Sequence, residues 1–99
     1  MIASFGDKVT QDLFDGVNSK EARRIPNQLW PVVTRKLDLV NAAHDLNDLS
    51  GSSRGNRLEP LKGKLRGFYS IRVNDQYRII FRWSAGNAYE VKVIDYHSP

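Results

Sequence analysis

The chain has 99 residues, 40% of them hydrophobic and 10% aromatic, enough for one domain around one core. It contains no cysteine, which excludes disulfides, thiolate metal sites and a cysteine nucleophile. No apolar run reaches the ~20 residues of a membrane span. The opening "MIASFGDKVT" has neither the basic nor the apolar region of a signal peptide, so a soluble cytoplasmic chain is the expectation. The net charge of +4 is unevenly spread. Arg54 to Arg82 holds eight bases against two acids, Glu59 and Asp75, and is therefore +6; the other seven bases and nine acids give −2. An anionic partner for the basic region is the expectation.

In chain order, "IASF" reads as a short edge strand. Asp7 is placed to cap a helix in which Val9 and Leu13 share a face and Gly16 is the stop. Ser19 is placed to cap a short turn over "KEARRI". "NQLWPVVTRKLDLVNAA" carries the longest helical period, with Leu29, Val33, Leu37 and Val40 on one stripe. Pro26 and Pro31 confine its start to the first turn. "HDLNDL" offers one more turn, and "SGSSRGN" is a loop by composition.

From Leu65 the period changes to two. "FYSIRV", "YRIIFRW" and "AYEVKVIDY" are rich in β-branched and aromatic residues and are separated by turn formers. A three-residue loop at Asn74-Asp75-Gln76 pairs Val73 with Tyr77, Ile71 with Ile79 and Tyr69 with Phe81, all on one face. Arg72, Arg78 and Arg82 then share the other face. In the third strand, simple alternation places Tyr89, Val91, Val93 and Asp95 on one side, with Glu90, Lys92, Ile94 and Tyr96 on the other. Helices followed by an antiparallel sheet make an α+β fold, with the helices on one face. The arginine face is either a solvated polar surface or a site for an anion, and the scarcity of acids near it keeps the second reading open.

The two histidines, His44 and His97, stand in no metal-binding spacing, and neither a P-loop nor a GxSxG elbow is present. His44 reads as a surface or helix-end residue. In "LKGKLRG", Lys62, Lys64 and Arg66 alternate, so an extended backbone would aim them one way. Gly63 and Gly67 permit close approach to a phosphate. With the sheet arginines and Tyr96, this combination suits single-stranded RNA. Cleavage by 2′-OH attack would need a base, an acid and cations. His97 could be acid or base, Asp95 or Tyr96 could orient it or move protons themselves, and Arg78 suits the phosphate.

Several stretches carry a resemblance. "MIASFGDKVTQDLFDG" resembles an MI-x-SF opening followed by a short helix and LF-x-x-G, and "RKLDLVNAAHDLNDL" resembles an RKL-x-x-LDAA helix. With "GNRLEPLKGKLRGFYSIRVNDQYRIIFRW" and the ending "VKVIDYH", these make the whole chain resemble the HigB branch of the HigB/RelE toxins, the plasmid maintenance killer proteins of type II toxin–antitoxin systems. The resemblance implies a RelE-like domain over residues 1–99 that cuts mRNA in the ribosomal A site and uses no metal or other cofactor. It implies neutralisation by a cognate helix-turn-helix antitoxin, HigA-like, through which alone operator DNA would be reached. Carried over, the active-site positions are Arg78, Asp95, Tyr96, His97 and Lys62. Lys64, Arg66, Arg72, Arg82 and Glu59 are expected to bind substrate.

Two features depart from the pattern. Some relatives carry a histidine where this chain has Glu59, so Glu59 either transfers a proton or partners Lys62, the second being the reading adopted. Ser98-Pro99 extends past the histidine near which family members often stop. Two other classes stay open: a non-catalytic RNA- or DNA-binding module, and an interaction protein whose basic surface docks an acidic partner.

Overall fold

The computed structural model describes residues 1–50 and 55–96. Most of the loop "SGSSRGN", and the terminal residues His97, Ser98 and Pro99, lie outside the described residues.

Helix α1 spans Lys8–Asp15. Asp7 caps it as its sequence position suggests, its Oδ1 accepting from the Thr10 N–H at 2.9 Å. Gly16 ends it in the left-handed conformation, φ 75°, which costs glycine nothing. Ser19 also caps as expected, accepting from the Ala22 N–H at 3.0 Å to start a 3₁₀ turn over Ala22–Arg24. Its hydroxyl donates to Asp12 at 2.6 Å, and Lys8 reaches the same carboxylate oxygen at 2.6 Å. Together these hold the Asp12 carboxyl below the ordinary aspartate range.

The long periodic stretch forms in two parts. A 3₁₀ turn over Asn27–Leu29 leads into α2, Trp30–Ala42, with Pro31 in the first helical turn. Val33, Leu37 and Val40 are fully buried. "HDLNDL" adds a 3₁₀ turn over Leu46–Leu49 rather than more α-helix, closed by a capping box between Asp45 and Asp48. Two backbone N–H groups, of His44 and Asp45, bond the Asp48 carboxylate and lower its pKa. His44 itself is exposed.

Among the described residues the sheet has four antiparallel strands in the order β1-β2-β3-β4: Glu59–Pro60, Tyr69–Arg72, Tyr77–Ser84 and Asn87–Asp95. The two-residue β1 had no signal in the sequence. The β2–β3 register is the one the three-residue loop requires, with Ile71 opposite Ile79, Tyr69 opposite Phe81 and Arg72 opposite Arg78. The Val73 N–H closes the hairpin on the Tyr77 carbonyl at 3.0 Å. Ile71, Ile79, Phe81, Val91 and Val93 form one core with Val9 and Leu13 of α1 and Val33, Leu37 and Val40 of α2.

Simple alternation fails in one place on β4. The register between β3 and β4 shifts between Ile80 and Arg82, and Glu90 takes a positive φ of 54°. This bulge inserts one extra residue. Ala88 and Val91 therefore both face the core, and Tyr89 sits opposite Arg82 on the arginine side, not beside Val91 as alternation would have it.

The outer edge of β4 is covered. The "IASF" segment runs parallel to it through bridges at Ile2–Ala88 and Phe5–Val91. Beyond these, the Val93 N–H donates to the buried Thr10 hydroxyl at 2.8 Å. Side chain and backbone together satisfy an edge that would otherwise be open to strand pairing.

Candidate active site

The arginine face is not the simply solvated surface of an exposed sheet. The segment after β1 folds back over it, placing Leu61 and Phe68 against Ile80, with Leu65 and Ile94 at the margin. The Leu61 N–H donates to the Phe68 carbonyl at 2.9 Å and closes this small hairpin. Within it, Gly63–Leu65 is a 3₁₀ turn. The extended alternation that would aim Lys62, Lys64 and Arg66 in one direction is therefore absent. The cause is local, since Gly63 adopts a positive φ of 67° and turns the chain. All three cations are exposed at the turn.

Arg78 is the most enclosed of the sheet arginines, its side chain only 12% accessible. Its Nε donates to Ser70 Oγ at 2.8 Å, from the neighbouring strand. One Nη donates to the Arg57 carbonyl at 2.8 Å and lies 3.7 Å from the Glu59 carboxylate. Its guanidinium carbon stands 5.4 Å from the centre of the Tyr96 ring, a cation–π distance. Contacts on several sides thus fix a permanently charged, planar donor. Glu59, half-exposed, makes its ion pair with Arg78 and not with Lys62, because β1 pairs Glu59 with Ser70 of β2, the residue that also bonds Arg78 from the next strand.

The end of β4 and the following Tyr96 are held in place. The Tyr96 N–H donates to the Gln76 carbonyl at 2.6 Å, while the Gln76 side chain donates to Asp95 at 3.0 Å. Asp95 pairs across from Tyr77, and so belongs to the face opposite Arg78; Tyr96, 39% exposed, is on the arginine side. Asp95 and Tyr96 are thus consecutive but point to different faces. His97 follows outside the described residues.

The other two arginines are engaged as well. Arg72 pairs with Asp75 at 2.6 Å across the hairpin turn. Arg82 donates to Glu90 at 3.0 Å and lies over the Phe68 ring at 4.3 Å. Each sheet arginine therefore has a carboxylate partner, contrary to the impression of a face with little acid near it. Glu90 reaches Arg82 from the bulged strand and Glu59 reaches Arg78 from β1. Sequence reasoning passed over Ser70 and the Arg57 carbonyl, both direct partners of Arg78. Ser70 was legible, since the register that sets Arg72 opposite Arg78 also puts a small hydroxyl on the arginine face. The Arg57 carbonyl had no comparable signal. Among the described residues, no three His, Asp or Glu side chains converge as metal ligands would.

This fold is that of the small YoeB/ParE-like toxins. The YoeB/ParE toxin from Agrobacterium tumefaciens superposes with a TM-score of 0.60 at 15% identity, over 98% of this chain and 100% of that one. A YoeB–YefM complex from Staphylococcus aureus gives 0.59 at 14%, over 99% of both chains. At that identity the likeness concerns the fold alone. Sequence goes further: the model of the family described as the RelE-like toxin of type II toxin–antitoxin system HigB matches residues 3–97, and the chain belongs to that family. Toxin HigB-1 of Vibrio cholerae serotype O1 is 41% identical over 88 residues, 89% of this chain and 90% of the relative. Endoribonuclease HigB of Proteus vulgaris is 34% identical over 98 residues, 98% of this chain and 100% of the relative.

Proposed function

We propose that this HigB-family toxin is an endoribonuclease that cuts mRNA in the ribosomal A site, with Arg78 as the group that meets the scissile phosphate. The observation that carries this reading is the setting of Arg78. It is fixed by Ser70 and the Arg57 carbonyl, yet its ion-pair partner Glu59 is half-exposed and can give way to a phosphate. The name of the Proteus vulgaris relative supports the reaction class.

The reaction is an internal displacement. The 2′-oxygen attacks phosphorus as its proton passes to a base. The P–O5′ bond then breaks as the 5′-oxygen takes a proton from an acid, leaving a 2′,3′-cyclic phosphate and a 5′-hydroxyl. Arg78 offsets the charge that builds on the phosphorane-like transition state, where a positioned donor is worth most. Tyr96 and His97 handle protons, with Asp95 setting the strand end from the opposite face. Lys62, Lys64 and Arg66 hold phosphates of mRNA or ribosomal RNA. Arg72 and Arg82 flank the path, and Glu59 holds Arg78 until substrate arrives. The partners are the ribosome, mRNA and a helix-turn-helix antitoxin that carries the pair to operator DNA. A fold neighbour solved as a YoeB–YefM complex is in keeping with an antitoxin partner in general.

The test is 5′-end mapping in a translation extract with and without ribosomes. New mRNA ends are expected only with ribosomes and wild-type protein. Arg78→Ala should reduce them about 10²- to 10³-fold, and removing residues 97–99 should also abolish cutting while leaving a folded chain. Salt-sensitive RNA binding with no new ends would instead identify a non-catalytic module.

A further inference from the structure

Behind the Arg78 site lies a buried polar pair that the proposed chemistry does not use. Lys36 sits within the apolar stripe of α2 and is only 6% exposed. Its ammonium donates to the side-chain oxygen of Asn56, itself 1% exposed. The Asn56 amide donates in turn to the Leu49 carbonyl at 3.2 Å. Its backbone carbonyl accepts from the Arg72 N–H at 2.6 Å. Asn56 is thereby anchored to α2, to the 3₁₀ turn that follows it and to β2.

The next residue carries the consequence. Arg57 has a φ of 49°, in the left-handed region that a non-glycine residue enters at a cost. That turn aims its carbonyl at Arg78 Nη, 2.8 Å away. Glu59, the other partner on the same guanidinium nitrogen, follows two residues later. Two costs meet here: a desolvated lysine and a strained arginine backbone. An apolar residue at position 36 would complete the stripe of Val33, Leu37 and Val40, so packing alone does not call for a lysine.

We infer that Lys36 and Asn56 are positioning residues for Arg78. The pair clamps the start of the 56–59 segment, imposes the left-handed turn at Arg57, and so holds the carbonyl and the Glu59 carboxylate that orient the guanidinium. This inference rests on the reading that Arg78 meets the phosphate; the clamp itself can be measured apart from it.

The experiment compares wild type, Lys36→Met, and the paired replacement Lys36→Met with Asn56→Leu. Replacing both side chains by apolar groups removes the bridge and leaves neither the ammonium nor the amide buried and unpaired, at the cost of the Leu49 carbonyl's donor. The paired variant should recover most of the stability that Lys36→Met loses. Its cleavage rate at saturating protein should nevertheless stay about ten- to hundredfold below wild type, with the half-saturating concentration within about twofold. The Arg78 Nη–H groups, seen by NMR, should exchange with water faster than in wild type. A paired variant that cuts at the wild-type rate with Arg78 exchange unchanged would overturn the inference and leave Lys36 a purely structural residue. If wild type itself makes no new mRNA ends, the functional reading fails, and the Arg78 exchange rate still decides whether the clamp exists. Should the paired variant not fold, Lys36→Met alone, which removes the α2 end of the clamp, is read by the same exchange measurement.

Discussion

The two faces of the sheet are built from the same three long strands and yet obey different rules. On one, Ile71, Ile79, Phe81, Val91 and Val93 meet two helices in a continuous apolar core. On the other, a small cluster of Leu61, Phe68 and Ile80 is ringed by cations, each sheet arginine held by a carboxylate, a hydroxyl, a carbonyl or a ring. The first face stabilises by area removed from water. The second spends part of that stability holding charged groups in fixed positions.

Truncations should expose the contrast most sharply. Phe81→Ala, fully buried against the helices, is expected to cost about 3–5 kcal/mol in chemical denaturation. Ile80→Ala, equally buried one residue away on the other face, should cost nearer 2 kcal/mol, because a small cluster under a loop can collapse around the gap. Equal losses would mean that the second cluster is as rigid as the main core. Gly67→Ala is next, at about 1–2 kcal/mol. Gly67 has a φ of 96°, and a Cβ there would stand 2.7 Å from an Arg82 Nη, so the arginine should also leave Phe68, visible as a change in the Phe68 ring resonances.

The smallest effect is one of pH and belongs to the helical side. Asp12 and Asp48 both have folded-state pKa values lowered from 3.8, by Lys8 and Ser19 in one case and by two backbone N–H groups in the other. Near that pH the unfolded chain binds more protons, so the stability they contribute is present above it and is lost as pH falls. Unfolding midpoints measured between about pH 5 and pH 2 should decline, and Asp12→Asn should flatten part of the decline. A profile unchanged by that substitution would show that the Lys8–Asp12–Ser19 cluster contributes nothing to it.

Local pattern carried far in this chain. Caps at Asp7 and Ser19, the stop at Gly16 and the stripe of α2 depend on neighbours within a turn, and each was legible. So was the β2–β3 register, because the three-residue loop is the one that puts Tyr69, Ile71, Val73, Tyr77, Ile79 and Phe81 on a single face. Arg78 and Tyr96 were legible as site candidates by chemistry and face. Tyr89 was misplaced because a bulge at Glu90 is set by the fit between strands rather than by alternation within one. The basic loop was misdrawn because alternation of charge says nothing about the turn that Gly63 permits.

By itself, then, the amino-acid order determined where the two helices lie, how β2 pairs with β3, and which face holds the arginines, since those depend on contacts a few positions apart. The tertiary structure decided most of what Arg78 touches. Glu59, Arg57 and Ser70 lie 19, 21 and 8 positions from Arg78, and Lys36 is 20 from the asparagine it bonds. Such partners meet only once helices and strands have packed, because hydrogen bonds and ion pairs are decided by distance in space and not along the chain.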